Sequence, residues 1–127
     1  MSKSTGTVKT FMNPAGFIEV HYIGRQTAES VAESVKVLQK SAKKIHASKR
    51  PVLILLDISR LKIVFDQKAH AVAARGLTEV PFERGAIYGP LKAQLLINTL
   101  SMVAGVQYKV RAFGDRLEAI EWLRGKV

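Results

Sequence analysis

The sequence predicts an α/β fold: a mixed sheet of four or five strands with a parallel core, an N-terminal hairpin and about four helices. The unbroken apolar run Val52 to Leu56 reads as a central strand buried on both faces, as in a sheet covered by helices. Around it, strand-like and helix-like segments alternate with short connections, the order expected of a sheet built by right-handed crossovers. A chain of 127 residues has the length of one domain. The expectation is therefore a single domain over residues 1–127, with 1–6 as a flexible tail.

Each element has a local reason. Thr7 to Met12 and Phe17 to Ile23 are strand-like runs flanking the turn signal Asn13, Pro14, Ala15, Gly16, which predicts a hairpin. Ile18, Val20 and Tyr22 share one face of the second strand. Thr27 is a predicted N-cap for a long helix whose apolar stripe runs through Ala28, Val31, Ala32, Val35, Leu38, Ala42 and Ile45. After the strand at 52–56, Asp57 to Leu61 reads as the start of a loop. A second helix is expected from Asp66, with Ala69, Val72, Ala73 and Leu77 on one side and Gly76 weakening its last turn.

Arg84 to Gly89 is a short strand, and Pro90 suits the first position of a third helix over Leu91 to Ala104, stopped by Gly105. Tyr108 to Phe113 alternates as a last strand. Asp115 and Glu118 form a start signal for a final helix with Ala119, Ile120 and Leu123 inward and Gly125 at its end.

Composition narrows the function classes. A hydrophobic fraction of 47% argues against disorder, and the absence of cysteine excludes disulfides and thiolate metal sites. No apolar run is long enough to span a bilayer, and a chain without cysteine is expected in the reducing cytoplasm. Twenty Lys and Arg against ten Asp and Glu give a net charge of +10, a field that attracts nucleic acid, anionic head groups or acidic proteins. The cations are densest on the first helix, where Lys36, Lys40, Lys43 and Lys44 form a candidate anion-binding patch. A solvated helix face is the simpler account of the same lysines.

No catalytic constellation is present. His21, His46 and His70 fall on three different elements without ligand spacing, and there is no nucleophile elbow or phosphate-binding glycine loop. The expectation is no catalytic residue, no metal and no cofactor. Asp57, at the end of the central strand, is the most interesting carboxylate, and its place two residues before Ser59 suits a side chain that hydrogen-bonds its own backbone.

The stretch from Pro51 to Ser59, the long amphipathic helix before it, and the closing pattern Phe113, Asp115, Arg116, Glu118, Ala119, Trp122, Leu123 resemble the SpoIIAA-like group of STAS-type domains. The resemblance runs from about residue 16 onward. The wider superfamily of that group also holds the CRAL-TRIO lipid-binding domains. The resemblance implies a mixed sheet with packed helices, no cofactor, and a role in protein contact or apolar-ligand binding. Signalling members carry a phosphorylatable serine in an Asp-Ser loop at the start of the helix after the central strand. Here Asp66 matches the acid, but Gln67 and Lys68 stand where the serine would be, and Ser59 comes too early in the loop.

The reading that follows is a non-enzymatic binding or signalling module acting through protein contacts, with a second copy as a partner in a homodimer. Its switch-loop positions are Asp57, Ser59, Asp66, Gln67 and Lys68. The third helix, apolar around much of its circumference, supplies the candidate interface through Leu91, Leu95, Leu96, Leu100 and Val103. The first alternative is a lipid or other apolar ligand held between that helix and the sheet. The second is sequence-independent nucleic-acid binding by the lysine patch.

Overall fold

A computed structural model describes residues 6–62 and 67–125. Five strands form one sheet in the order β1-β2-β3-β4-β5: β1 (Thr7–Asn13), β2 (Phe17–Arg25), β3 (Leu53–Lys62), β4 (Arg84–Tyr88) and β5 (Val110–Phe113). β1 runs antiparallel to β2, and the other three pairings are parallel. The hairpin turn closes with Gly16 N–H donating to the Asn13 carbonyl at 2.9 Å, while the Asn13 side chain accepts from Ala15 N–H at 2.8 Å. Gly16 has a φ of 102°, a conformation in which a side chain is strained.

Strand order and helix placement follow from one rule. Right-handed crossovers that step across a sheet in one direction all fall on the same face. Accordingly α1 (Ala28–Ala47), α2 (Gln67–Glu79) and α3 (Leu91–Ala104) lie together, with Leu38, Ala42, Ile45 and Ala93 packed on Ile18, Val20, Ile54, Ile58 and Ile87. α4 (Arg116–Leu123) follows the last strand and returns over the opposite face, where Ala119 and Leu123 pack on Phe17, Leu55 and Ala86. The central strand is covered on both sides, Ile54 toward three helices and Leu55 toward one, as its unbroken apolar run predicts.

The helix ends agree with local chemistry. Thr27 caps α1 reciprocally, its hydroxyl accepting from Ser30 N–H at 3.1 Å and its own N–H donating to Ser30 Oγ at 2.8 Å. Gly105 ends α3 in the left-handed conformation. Asp115 caps α4 by accepting from Glu118 N–H at 3.3 Å. Pro90 sits one place earlier than predicted, as the N-cap of α3.

The main correction concerns β3. The segment Asp57 to Leu61, read as the start of a loop, continues the strand to Lys62 because β2 pairs with it up to Arg25. His21 pairs with Asp57, yet Ile23 pairs with Arg60, so β3 carries one extra residue there. That bulge lets Ile58 and Leu61 both reach the three-helix side and leaves Ser59 and Arg60 exposed. None of the described helices is long and apolar enough to cross a membrane.

Candidate functional site

α4 covers only part of its face of the sheet, and beside it lies a cluster of polar side chains. Glu19 and His21 share this face of β2 because alternate residues point the same way. Glu19 is only 2% exposed. It accepts from Asn13 Nδ2 at 2.9 Å, from Arg116 Nη2 at 3.1 Å and from Arg116 Nη1, and it lies 2.7 Å from His21 Nε2. The other ring nitrogen of His21 is 3.3 Å from Asp57 Oδ2 and 3.4 Å from Arg60 Nη2. Arg116 also donates to the Tyr88 hydroxyl at 3.2 Å. One network thus joins the hairpin, β2, β3, β4 and the first residue of α4.

Burial alone would raise the Glu19 carboxyl. The hydrogen bonds from Arg116, His21 and Asn13, with the Arg116 charge, reverse this and bring it down to about 2. Asp57 follows the same pattern: burial opposes its charge, but the Ser59 hydroxyl and N–H, the Tyr88 hydroxyl and the neighbouring His21 hold it below the usual carboxylate range. Burial raises the Tyr88 hydroxyl, with Asp57 adding to the rise and Arg116 opposing it.

The predicted pairing of Asp57 with Ser59 is present, with Ser59 N–H at 2.9 Å and Ser59 Oγ at 2.6 Å from Asp57 Oδ1. The Ser59 hydroxyl thus meets the Asp57 carboxylate, while the two ring nitrogens of His21 lie against Glu19 and Asp57. That arrangement ties β2 to β3. Among the described residues no group of three His, Cys, Asp or Glu side chains is placed to hold a metal. Asp66 lies outside the described residues. Gln67 and Lys68 begin α2 and are exposed.

The opposite face holds a partly open cavity of about 140 Å³ between α1, α2, α3 and the sheet. Val35, Leu38, Ala73, Leu77, Leu96, Ile97, Leu100, Ile54 and Leu56 form its aliphatic wall, with Lys62 and His70 also on the lining. Tyr22 and Gln26, also on the lining, have hydrogen-bond partners within the fold. The Tyr22 hydroxyl lies 3.0 Å from Ser34 Oγ, and Gln26 donates to the Ile23 carbonyl at 3.2 Å and accepts from Ser30 Oγ at 2.8 Å.

α3 separates the candidate interface residues into two sets. Leu96 and Leu100 turn inward to the cavity, and Leu100 is buried. On the outer side Leu91 is 68% exposed, Leu95 57%, Met102 66% and Val103 74%. Met102 was not among the predicted interface residues, although its spacing of seven residues from Leu95 places it on the same stripe. Lys36, Lys40, Lys43 and Lys44 all lie exposed on α1, and the ion pairs among the described residues involve none of them.

The polar cluster was the part that sequence reasoning missed. Glu19 and His21 alternate with the apolar residues of β2, which marks their shared face, but Arg116 lies 97 residues away. Only the landing place of α4 brings it to them.

With the geometry in hand, comparison with known proteins decides the family. A family model described as SpoIIAA-like matches residues 17–124, from the first residue of β2 to the end of α4. The chain belongs to the SpoIIAA-like family. Two solved structures show how far the SpoIIAA-like fold carries. An uncharacterised protein of the DUF3478 family with a SpoIIAA-like fold, from Shewanella loihica PV-4, superposes with a TM-score of 0.66 at 19% identity, over 97% of this chain and 98% of that one. The anti-sigma factor antagonist SpoIIAA in its unphosphorylated form superposes with a TM-score of 0.57 at 17% identity, over 95% of this chain and 99% of that one. At such identities the likeness is one of fold. No curated protein sequence matches the chain.

Proposed function

We propose that this SpoIIAA-like protein is a non-catalytic binding module whose working surface is the outer side of α3. The observation that carries the reading is the exposure of Leu91, Leu95, Met102 and Val103 on one helix. Four large apolar side chains are exposed on this one four-turn helix, and apolar surface gathered in this way marks contact sites. Membership of a family that includes an anti-sigma factor antagonist supports action through protein contact. The module works without a phosphorylatable serine at the start of α2, where Gln67 and Lys68 stand. A photo-activated cross-linking residue introduced at Leu95 in living cells is expected to capture a protein partner. The same residue at Leu117, exposed on α4, is expected to capture none. Equal yields from both positions would refute α3 as the working surface.

The cavity favours a second reading, binding of an apolar ligand between α3 and the sheet. This accords with the resemblance to a superfamily that also holds CRAL-TRIO lipid-binding domains. Magnitude limits the guest: a dry cavity of about 150 Å³ takes roughly one aromatic ring, so 140 Å³ admits a ring or a short chain and not a two-chain lipid. Native mass spectrometry of the purified protein is expected to show a small apolar adduct that Ala73→Phe, which fills the cavity, removes. An unliganded mass from every preparation would end this reading.

A further inference from the structure

We propose that the cavity between the three helices and the sheet takes a small apolar carboxylic acid, its hydrocarbon body among the aliphatic side chains and its carboxylate at Lys62; this rests on the reading of the cavity as an apolar-ligand site. The cavity is polarised along the strands. Because β2, β3, β4 and β5 run parallel, their carboxyl ends lie at one end of the sheet. At the other end, where β4 and β5 begin, the lining is Val80, Phe82, Gly85 and Val110, with no polar side chain. The polar lining residues all come from the carboxyl end. Tyr22 and Gln26 lie near the end of β2, Lys62 ends β3, and His70 is in the first turn of α2. Ligands of open α/β sheets sit beyond the carboxyl ends of the strands.

The polar end selects an anion. Among the described residues no Asp or Glu lies on the lining, and its charged or titratable nitrogen groups, Lys62 and His70, are both bases. Tyr22 and Gln26 are engaged by Ser34, Ser30 and the Ile23 carbonyl. Lys62 is both exposed and on the lining, which puts it at the mouth of the cavity, and the ion pairs among the described residues do not include it. A carboxylate set against that ammonium gains a charge-assisted hydrogen bond, roughly twice as strong as a neutral one. The net charge of +10 also favours the approach of anions, whereas an alkylammonium of the same shape meets an opposing field.

Size completes the description of the ligand. A volume of about 140 Å³ holds a body of roughly one aromatic ring, and a single lysine matches a single negative charge. Phenylacetate, a ring one carbon away from one carboxylate, meets both conditions.

The purified full chain, isotope-labelled and titrated at low salt with amide shifts followed by NMR, is expected to bind phenylacetate about fivefold to tenfold more tightly than its neutral isostere phenylacetamide. Phenethylamine is expected to bind more weakly than either. Lys62→Met is expected to bring the acid down to the affinity of the amide while leaving the amide unchanged, and Lys62→Arg to keep the preference. Lys36→Met, exposed on α1 and off the lining, is expected to keep it too. Ala73→Phe is expected to abolish binding of both compounds. If neither compound binds the unaltered protein, the apolar-ligand reading falls and this inference with it. If the amide binds as tightly as the acid, the inference alone falls and the cavity remains an apolar-ligand site. A preference for the acid that survives Lys62→Met, or that Lys36→Met removes equally, overturns the placing of the carboxylate at Lys62. Phenylacetate binding that persists in Ala73→Phe is attraction to the charged surface and overturns the proposal as well.

Discussion

Arg116→Leu is expected to lower the stability of the fold by about 2–4 kcal/mol, more than any exposed-surface change. The loss arises less from the missing attraction than from what stays behind. Glu19 is 2% exposed, and without the guanidinium its charge keeps only Asn13 and His21 as partners. Arg116 is itself 41% exposed, so water entering its place recovers part of the loss and puts the value below that of a fully buried pair. Glu19→Gln in the same chain is expected to restore part of the stability, because it removes the stranded charge.

The pH dependence follows from the same carboxyl. Its value falls from 4.5 to about 2 on folding, so the folded state binds the proton less readily than the unfolded chain. The stabilisation is fully present above 4.5 and is lost as pH falls toward 2, with an upper bound of about 3 kcal/mol from the linkage relation. Asp57, also held low, adds in the same direction. Urea unfolding at neutral pH and near pH 3 should give a steep acid loss in the unaltered protein and a shallower one in Glu19→Gln. Parallel losses in the two proteins would show that Glu19 is not the titrating group.

The difference between what was legible and what was not has a physical basis in these same residues. Val52 to Leu56 announced a doubly covered strand because an unbroken apolar run has no solvent face, and Ile54 and Leu55 indeed face opposite layers. Thr27, Gly105 and Asp115 were legible because a cap is a matter of a few neighbouring residues. The far half of β3 was not, because Ser59 and Arg60 are polar and what keeps them in a strand is the backbone of β2. Glu19 reads by itself as a solvent-facing residue of an edge hairpin. It is buried because β2 lies inside the sheet and the Arg116 side chain, from the start of α4, reaches it, facts set by chain connectivity far from residue 19. The apolar circumference of α3 stated that both sides need a partner, and only the fold assigns Leu96 and Leu100 to the cavity and Leu91 and Leu95 to solvent.

Gly76→Ala sets two effects of opposite sign against each other. In a helix interior alanine is favoured over glycine by about 1 kcal/mol, which by itself would stabilise α2. At this position, however, an added Cβ would stand 2.6 Å from Val35 Cγ2 of α1. Val35 is β-branched and held to one side-chain rotamer in a helix, so it cannot swing aside cheaply. The helices must separate instead, and overpacking of this kind costs about 1–3 kcal/mol. The clash is expected to win, giving a net loss of about 1 kcal/mol or more. Since Val35, Gly76 and Leu77 line the cavity, the separation also widens it, and binding of an apolar fluorescent dye should increase. Val35→Ala combined with Gly76→Ala removes the methyl that is struck, so the double variant is expected to be more stable than the sum of the two single changes. Additive losses would mean that Val35 yields where it stands and that the contact between α1 and α2 does not set the width of the cavity. A rise in stability for Gly76→Ala alone would mean the same, and would assign the glycine no part in bringing the two helices together.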